Sequence, residues 1–262
     1  MKTKSLLFIL LAAALLFCGC SGKRDKQSSS AAPSAASIVS SVFESSKADT
    51  AASSATSSTD TSSVASTPQN TISSDDGKTD TSSRLFIGDS RTVGLESYSG
   101  LSADYFADVG MSIYNIYDKT LNVGGSPYTV KQLLSSNKYD KIYLMLGVNE
   151  IGYALDSTVK KYSEFVDYIR EAQPSAKVYI QANLHVAAAR SASDTYVNNK
   201  NLNRFNKAIS ELADGKTVFY LDINTVFDDA DGNLQAERTP DNTHLYAKDY
   251  AEWAKWIIKQ SE

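Results

Sequence analysis

Over residues 84–262, short apolar runs alternate with stretches whose apolar residues fall at helical spacing. Leu85-Phe86-Ile87, Ile142-Tyr143-Leu144-Met145-Leu146, Val178-Tyr179-Ile180 and Val218-Phe219-Tyr220-Leu221 are continuous apolar runs. A run without polar alternation suits a strand covered on both faces. Residues 104–109 form a fifth strand candidate. Between these runs the period changes to 3.6. Residues 158–171 place Val159, Tyr162, Phe165, Val166 and Ile169 on one helical face. Residues 196–213 do the same with Leu202, Phe205, Ile209 and Leu212, and a last helix carries Tyr250, Trp253, Ala254 and Ile257. Strand and helix in alternation predict an α/β domain, a parallel sheet with helices on both sides. There is no internal repeat.

The first 83 residues read differently. Residues 6–17 are a 12-residue apolar stretch after Met-Lys-Thr-Lys. A membrane-spanning helix needs about 20 residues, so the stretch is expected to be the core of a signal peptide over 1–20. Phe17-Cys18-Gly19-Cys20 then resembles a bacterial lipobox, which implies lipidation at Cys20 and an anchor on the extracytoplasmic face of the cell membrane. An ordinary secretory leader with two incidental cysteines is the alternative. In residues 21–83, 38 of 63 are Ser, Thr or Ala. Such a segment has too little apolar surface to offset its ordering entropy. It is expected to be a disordered tether that holds the domain off the membrane.

Composition narrows the function of the 179 residues that follow. Both cysteines lie in the leader, so the domain has no disulfide, no thiolate nucleophile and no cysteine-based metal site. Its 19 Lys and Arg against 23 Asp and Glu leave a net charge of −4, with no basic stripe to suit nucleic acid.

In parallel α/β sheets, ligands sit beyond the carboxyl ends of the strands. After the first strand comes Gly88-Asp89-Ser90-Arg91. A serine at a strand-to-helix turn can present its hydroxyl and its own N–H together, or it can simply cap the helix. After the second comes Gly110, which permits close backbone approach or merely turns the chain. After the third comes Gly147-Val148-Asn149-Glu150, where Asn149 can aim its amide at a developing oxyanion or form a turn. Just before the last helix stands Asp241-Asn242-Thr243-His244. An aspartate three residues before a histidine can reach its Nδ1–H and fix the tautomer.

Taken in order, Gly-Asp-Ser, the second-block glycine, Gly-x-Asn and Asp-x-x-His resemble the four blocks of the SGNH (GDSL-type) hydrolases. The resemblance covers the domain from Leu85 to the last helix. It implies a three-layer α/β/α sandwich with five parallel strands, the flavodoxin-like SGNH hydrolase fold. It also implies Ser90 as nucleophile, Asp241 and His244 as its partners, and an oxyanion hole from Ser90, Gly110 and Asn149. No metal or cofactor is implied. Two positions depart from the family pattern: Arg91 stands where the older signature has Leu, and Glu150 where many relatives have Asp.

The expected activity is hydrolysis of short acyl esters, acetyl above all, through an acyl-serine. An acylated envelope or extracellular glycan is the expected partner, on grounds of location. An O-acyltransferase with the same residues, and a non-catalytic glycan-binding lipoprotein, are the alternatives. Oligomeric state is not legible. The second histidine, His185, has no aspartate near it in sequence and is expected at the surface or behind the site. Tyr114, Tyr117, Tyr128 and Tyr153 are expected in loops or early helices near the site, as packing or as a sugar platform. Asn198, Asn199, Asn201, Asn203 and Asn206 read as a polar helix face.

Overall fold

The computed structural model describes residues 81–262. The expected signal peptide, Cys20 anchor and all but the end of the expected tether lie outside the described residues. In chain order, the first elements are strand β1 (Arg84–Gly88), helix α1 (Ser90–Tyr98) and strand β2 (Asp104–Ala107). A hairpin of β3 (Thr120–Val123) and β4 (Ser126–Thr129) leads to α2 (Val130–Ser136). Then follow β5 (Lys141–Met145), α3 (Leu155–Ala172), β6 (Lys177–Gln181), α4 (Ala188–Ser193) and α5 (Asn199–Ser210). The chain closes with β7 (Val218–Leu221), α6 (Asn224–Phe227) and α7 (Ala247–Gln260).

The five expected strands form one sheet in the order β2-β1-β5-β6-β7, with every pair parallel. Successive side chains point to opposite faces, so each strand feeds two cores. Leu85, Ile87, Ile142, Leu144, Val178 and Ile180 pack with α2, α3 and α5. Phe86, Tyr143 and Tyr179 pack on the other face with Leu95 of α1 and Tyr250, Trp253 and Ile257 of α7. The result is the three-layer sandwich.

The second core contains a row of rings across the sheet. Tyr105, Phe86, Tyr143, Tyr179 and Phe219 are in register on β2, β1, β5, β6 and β7. Their centroids are spaced 5.3, 4.4, 5.0 and 5.3 Å, all stacked. The buried tyrosine hydroxyls need partners. Tyr143 meets the Ser261 hydroxyl at 2.7 Å, and Tyr179 donates to the Ser261 carbonyl at 3.2 Å.

Two differences from the sequence reading have local causes. The hairpin was not expected, and it moves Tyr128 from a loop or helix onto β4, where it pairs with Leu121. Its two-residue turn is Gly124-Gly125, with φ of 58° and 85°, a conformation that favours glycine at both positions. The helix expected over 196–213 begins only at Asn199, because the Asn198 side chain accepts from Asn201 N at 3.0 Å and caps it. Among the described residues, no helix is long and apolar enough to cross a membrane.

Helices α1 and α7 meet at Gly94, where a Cβ would lie 2.2 Å from Tyr250 Cζ. Gly94→Ala gains roughly 1 kcal/mol in helix propensity, but overpacking costs about 1–3 kcal/mol. Net destabilisation is expected, read as a lower midpoint in urea unfolding.

Candidate active site

Asp89 caps α1: its Oδ1 accepts from Arg91 N at 3.1 Å. This cap starts the helix one residue past the strand, and Ser90 becomes its first residue. The side chain of Ser90 points to the loop before α7. Its Oγ lies 2.9 Å from His244 Nε2, across 154 residues of sequence. His244 Nδ1 lies 2.7 Å from Asp241 Oδ2. An ionised carboxylate can only accept, so the proton sits on Nδ1 and Nε2 is left to accept from the Ser90 hydroxyl.

The Asp241 loop is held by the same residue that orients the ring. Asp241 Oδ1 accepts from Thr243 N at 3.0 Å and His244 N at 2.8 Å. Burial favours the neutral acid, but the His244 ring and these two N–H groups outweigh it and hold the carboxyl down at about 2. Its folded value is below the unfolded one of ~3.9. The stabilisation from this loop is therefore present above about pH 4 and is lost as pH falls toward 2. Asn242 takes a left-handed φ of 65° at the tip, a conformation asparagine tolerates.

The two expected oxyanion positions meet each other through Met111. Asn149 Nδ2 donates to the Met111 carbonyl at 2.8 Å. One of its two amide hydrogens is thereby fixed and the other stays free to donate. Gly110 has φ of 75°, and its carbonyl accepts from Asn115 Nδ2 at 3.1 Å. Asn149 itself stands on a short turn begun by Gly147, at φ of 140°. A Cβ on Gly147 would come within 2.4 Å of Phe205 Cε1 and 2.6 Å of Asn183 Nδ2. Both conformation and space require glycine there.

Glu150 does more than the sequence reading gave it. It is 2 % exposed, and its Oε1 accepts from Ile113 N at 2.6 Å. Asn149 and Glu150 together therefore clamp the loop that follows Gly110. Glu150 Oε2 has no hydrogen-bond partner among the described residues. Burial raises its pKa to about 7; the Ile113 N–H and the Arg91 charge oppose the rise and the Asp89 charge adds to it. Arg91 is itself buried, bidentate on Asp89 at 2.9 and 2.5 Å and bonded to Asn183 Oδ1 at 2.7 Å. The two departures from the family pattern, Arg91 and Glu150, thus act on each other electrostatically.

His185 is not at the surface. It is 7 % exposed, with Nδ1 at 2.7 Å from Asp228 Oδ2 and Nε2 at 2.9 Å from Asn203 Oδ1. Its aspartate partner is 43 residues away in sequence, so local spacing could not reveal it. Burial lowers its pKa, but Asp228 and Asn203 more than offset this and raise it overall. The asparagines of α5 are not uniformly a solvent face either. Asn206 and Asn199 are buried and bond the backbone of Asn183 and Val186. Tyr117 packs edge-on against Phe165 and Tyr168. Among the described residues, no group of His, Cys, Asp or Glu side chains is arranged to hold a metal ion.

A folded-state pKa of about 7 for Glu150, against 4.5 as its ordinary value, means that the folded protein holds a proton the unfolded chain releases. Stability from this group is present below about pH 4.5 and is lost as pH rises through 7. The full effect is about 3 kcal/mol. The stability of Glu150→Gln relative to wild type should therefore increase between pH 5 and pH 8, measured by urea unfolding at both.

Residues 86–251 match the model of the GDSL-like Lipase/Acylhydrolase family. Solved structures share the fold at low identity. One is a protein from Streptococcus pneumonia, provisionally described as a platelet activating factor: 21% identity, TM-score 0.57, covering 68% of this chain and 83% of that one. An acetyl xylan esterase, AlAXEase, has 16% identity and TM-score 0.52, covering 68% and 98%. A GDSL-like lipase from Bacteroides thetaiotaomicron has 14% identity and TM-score 0.52, covering 69% and 87%. No curated protein matches the chain. With the family model spanning most of the sheet and its helices, the chain belongs to the GDSL-like lipase/acylhydrolase family and is an SGNH-type hydrolase.

Proposed function

We propose that this protein hydrolyses short acyl esters, acetyl above all, with Ser90 as nucleophile. The observation that carries the reading is the continuous chain from Ser90 Oγ through His244 to Asp241, at 2.9 and 2.7 Å. A serine hydroxyl is a weak nucleophile without a base at hand, and His244 Nε2 is aligned to take its proton. Ser90 attacks the ester carbonyl, and the proton passes to His244. The imidazolium formed lies against the ionised Asp241. The tetrahedral oxyanion is held by the N–H groups of Ser90 and Gly110 and by the second hydrogen of Asn149 Nδ2. Collapse expels the alcohol, which takes the proton back from His244. Water, deprotonated by the same ring, then releases the acid.

The substrate reading extends this to acyl groups on envelope or extracellular glycans. Two kinds of support exist. The apolar leader and the Cys20 motif imply an outside location, and one structure of like fold is an acetyl xylan esterase. Lipidation of Cys20 would keep the domain at the extracytoplasmic face of the membrane.

Wild-type full chain should release phenol from an aryl acetate, and Ser90→Ala should not. Activity equal in both would remove Ser90 from the mechanism. Asn149→Ala should lower kcat about 10²–10³-fold, the usual effect of losing one oxyanion donor. For the anchor, Cys20→Ser should move the protein to the soluble fraction of fractionated cells; full membrane retention would contradict lipidation there.

A further inference from the structure

The carboxyl edge of the sheet carries a cavity of about 220 Å³ between the turn after Asn149 and helix α5. Its lining includes Glu150, the neighbour of Asn149, and Phe205. Phe205 is also the ring that a Cβ on Gly147 would strike. The cavity therefore shares a wall with the turn that presents Asn149.

Two tyrosines flank it. Tyr153 is 64% exposed and Tyr196 is 50% exposed. These exposures are too large for rings whose purpose is core packing, yet both rings are held in place. Tyr153 stacks on Tyr114 at 5.0 Å, and the Tyr114 hydroxyl bonds Thr158 Oγ1 at 2.8 Å. Tyr196 packs its ring over Gly152, where a Cβ would come within 3.0 Å of it, and its backbone is held by Asn201 Nδ2, which donates to the Tyr196 main-chain carbonyl at 2.9 Å. Fixed, half-exposed tyrosine rings offer an apolar face to the C–H face of a sugar while their hydroxyls stay wet.

One cation also lines the cavity. Arg91, Arg170, Arg190 and Arg238 are each ion-paired. Arg204 is exposed and, among the described residues, has no ion pair or hydrogen bond. The carboxylate in the lining, Glu150, is buried and already accepts from Ile113 N through Oε1, and it makes no ion pair with Arg204. A free guanidinium in a domain of net charge −4 is available for a ligand anion. It grips carboxylate or phosphate oxygens two at a time.

We propose that this cavity binds one anionic sugar residue of the substrate, with its ring against Tyr153 and Tyr196 and its carboxylate or phosphate on Arg204. Its role as a specificity site rests on the esterase reading; the binding itself does not. It predicts preference for acylated acidic glycans over neutral ones such as xylan.

The test is calorimetric titration of the full chain carrying Ser90→Ala, so that no ester turnover intervenes. The probes are tetragalacturonate, maltotetraose bearing a terminal 6-phosphate, and neutral xylotetraose. At least one acidic probe should bind tenfold or more tightly than xylotetraose; which one binds tells carboxylate from phosphate. Adding Arg204→Ala should abolish that preference, and Arg204→Lys should restore part of it. Equal binding of acidic and neutral probes, no binding of any, or a preference that survives Arg204→Ala overturns the proposal. Aryl acetate hydrolysis by wild type is read separately. Its absence alongside acidic-sugar binding removes the esterase reading and leaves the site standing.

Discussion

The imidazole of His244 has two nitrogens, and the fold commits both. One faces the Asp241 carboxylate and the other faces the Ser90 hydroxyl. This needs a residue from the first strand-to-helix turn to meet a residue 154 positions later, and most of the architecture serves that meeting. The parallel sheet puts every strand's carboxyl end on one edge. Helices α1 and α7, which flank the two loops, pack together on one face through Leu95, Tyr250 and Trp253. Asp241 completes the arrangement by using one oxygen for its own loop and the other for the ring.

A second constraint is the backbone that leaves the sheet after β6. Residues 183–187 are irregular and buried, so their peptide groups cannot turn to water. Buried N–H and C=O groups left without partners are costly. Side-chain carboxamides take the place of a neighbouring strand. Asn206 bonds both the N–H and the carbonyl of Asn183, Asn199 does the same for Val186, and Asn224 accepts from His185 N. An asparagine side chain is a peptide group in miniature, which suits it to this substitution. The result is a rigid wall beside Arg91 and Gly147.

How far the sequence revealed this depended on how local each signal was. The strands of the sheet were legible because burial on both faces leaves unbroken apolar runs. Helix α3 was legible because Tyr162, Phe165, Val166 and Ile169 repeat at its period. The residues of the candidate site were legible because each follows a strand or precedes the last helix. The hairpin was missed because its strands are mostly exposed and carry no apolar run; the Gly124-Gly125 pair was the cue. The roles of Asn199 and Asn206 were missed because polarity was taken as exposure. Their spacing with Leu202 and Ile209 puts all four on one stripe, which would have identified them. The pairing of His185 with Asp228, and the burial of Glu150, left no local mark at all.

The row of five stacked rings has a bearing on strand alignment. Parallel strands rich in Leu, Ile and Val can slide past one another by two residues and still present the same faces. Here such a slip would take a ring off its partners and set residues such as Gly88, Lys177 or Gln181 beside them, breaking the stack in two directions at once. Each strand of the sheet carries one member at the same level, so the rings act like a row of alignment pins through stacked plates. Lys177 Nζ sits 5.7 Å from the centroid of Phe219, the last ring of the row. The consequence reaches the far edge of the sheet: a strand displaced by two residues would carry its carboxyl-end loop some 6–7 Å out of place, more than twice a hydrogen bond's length.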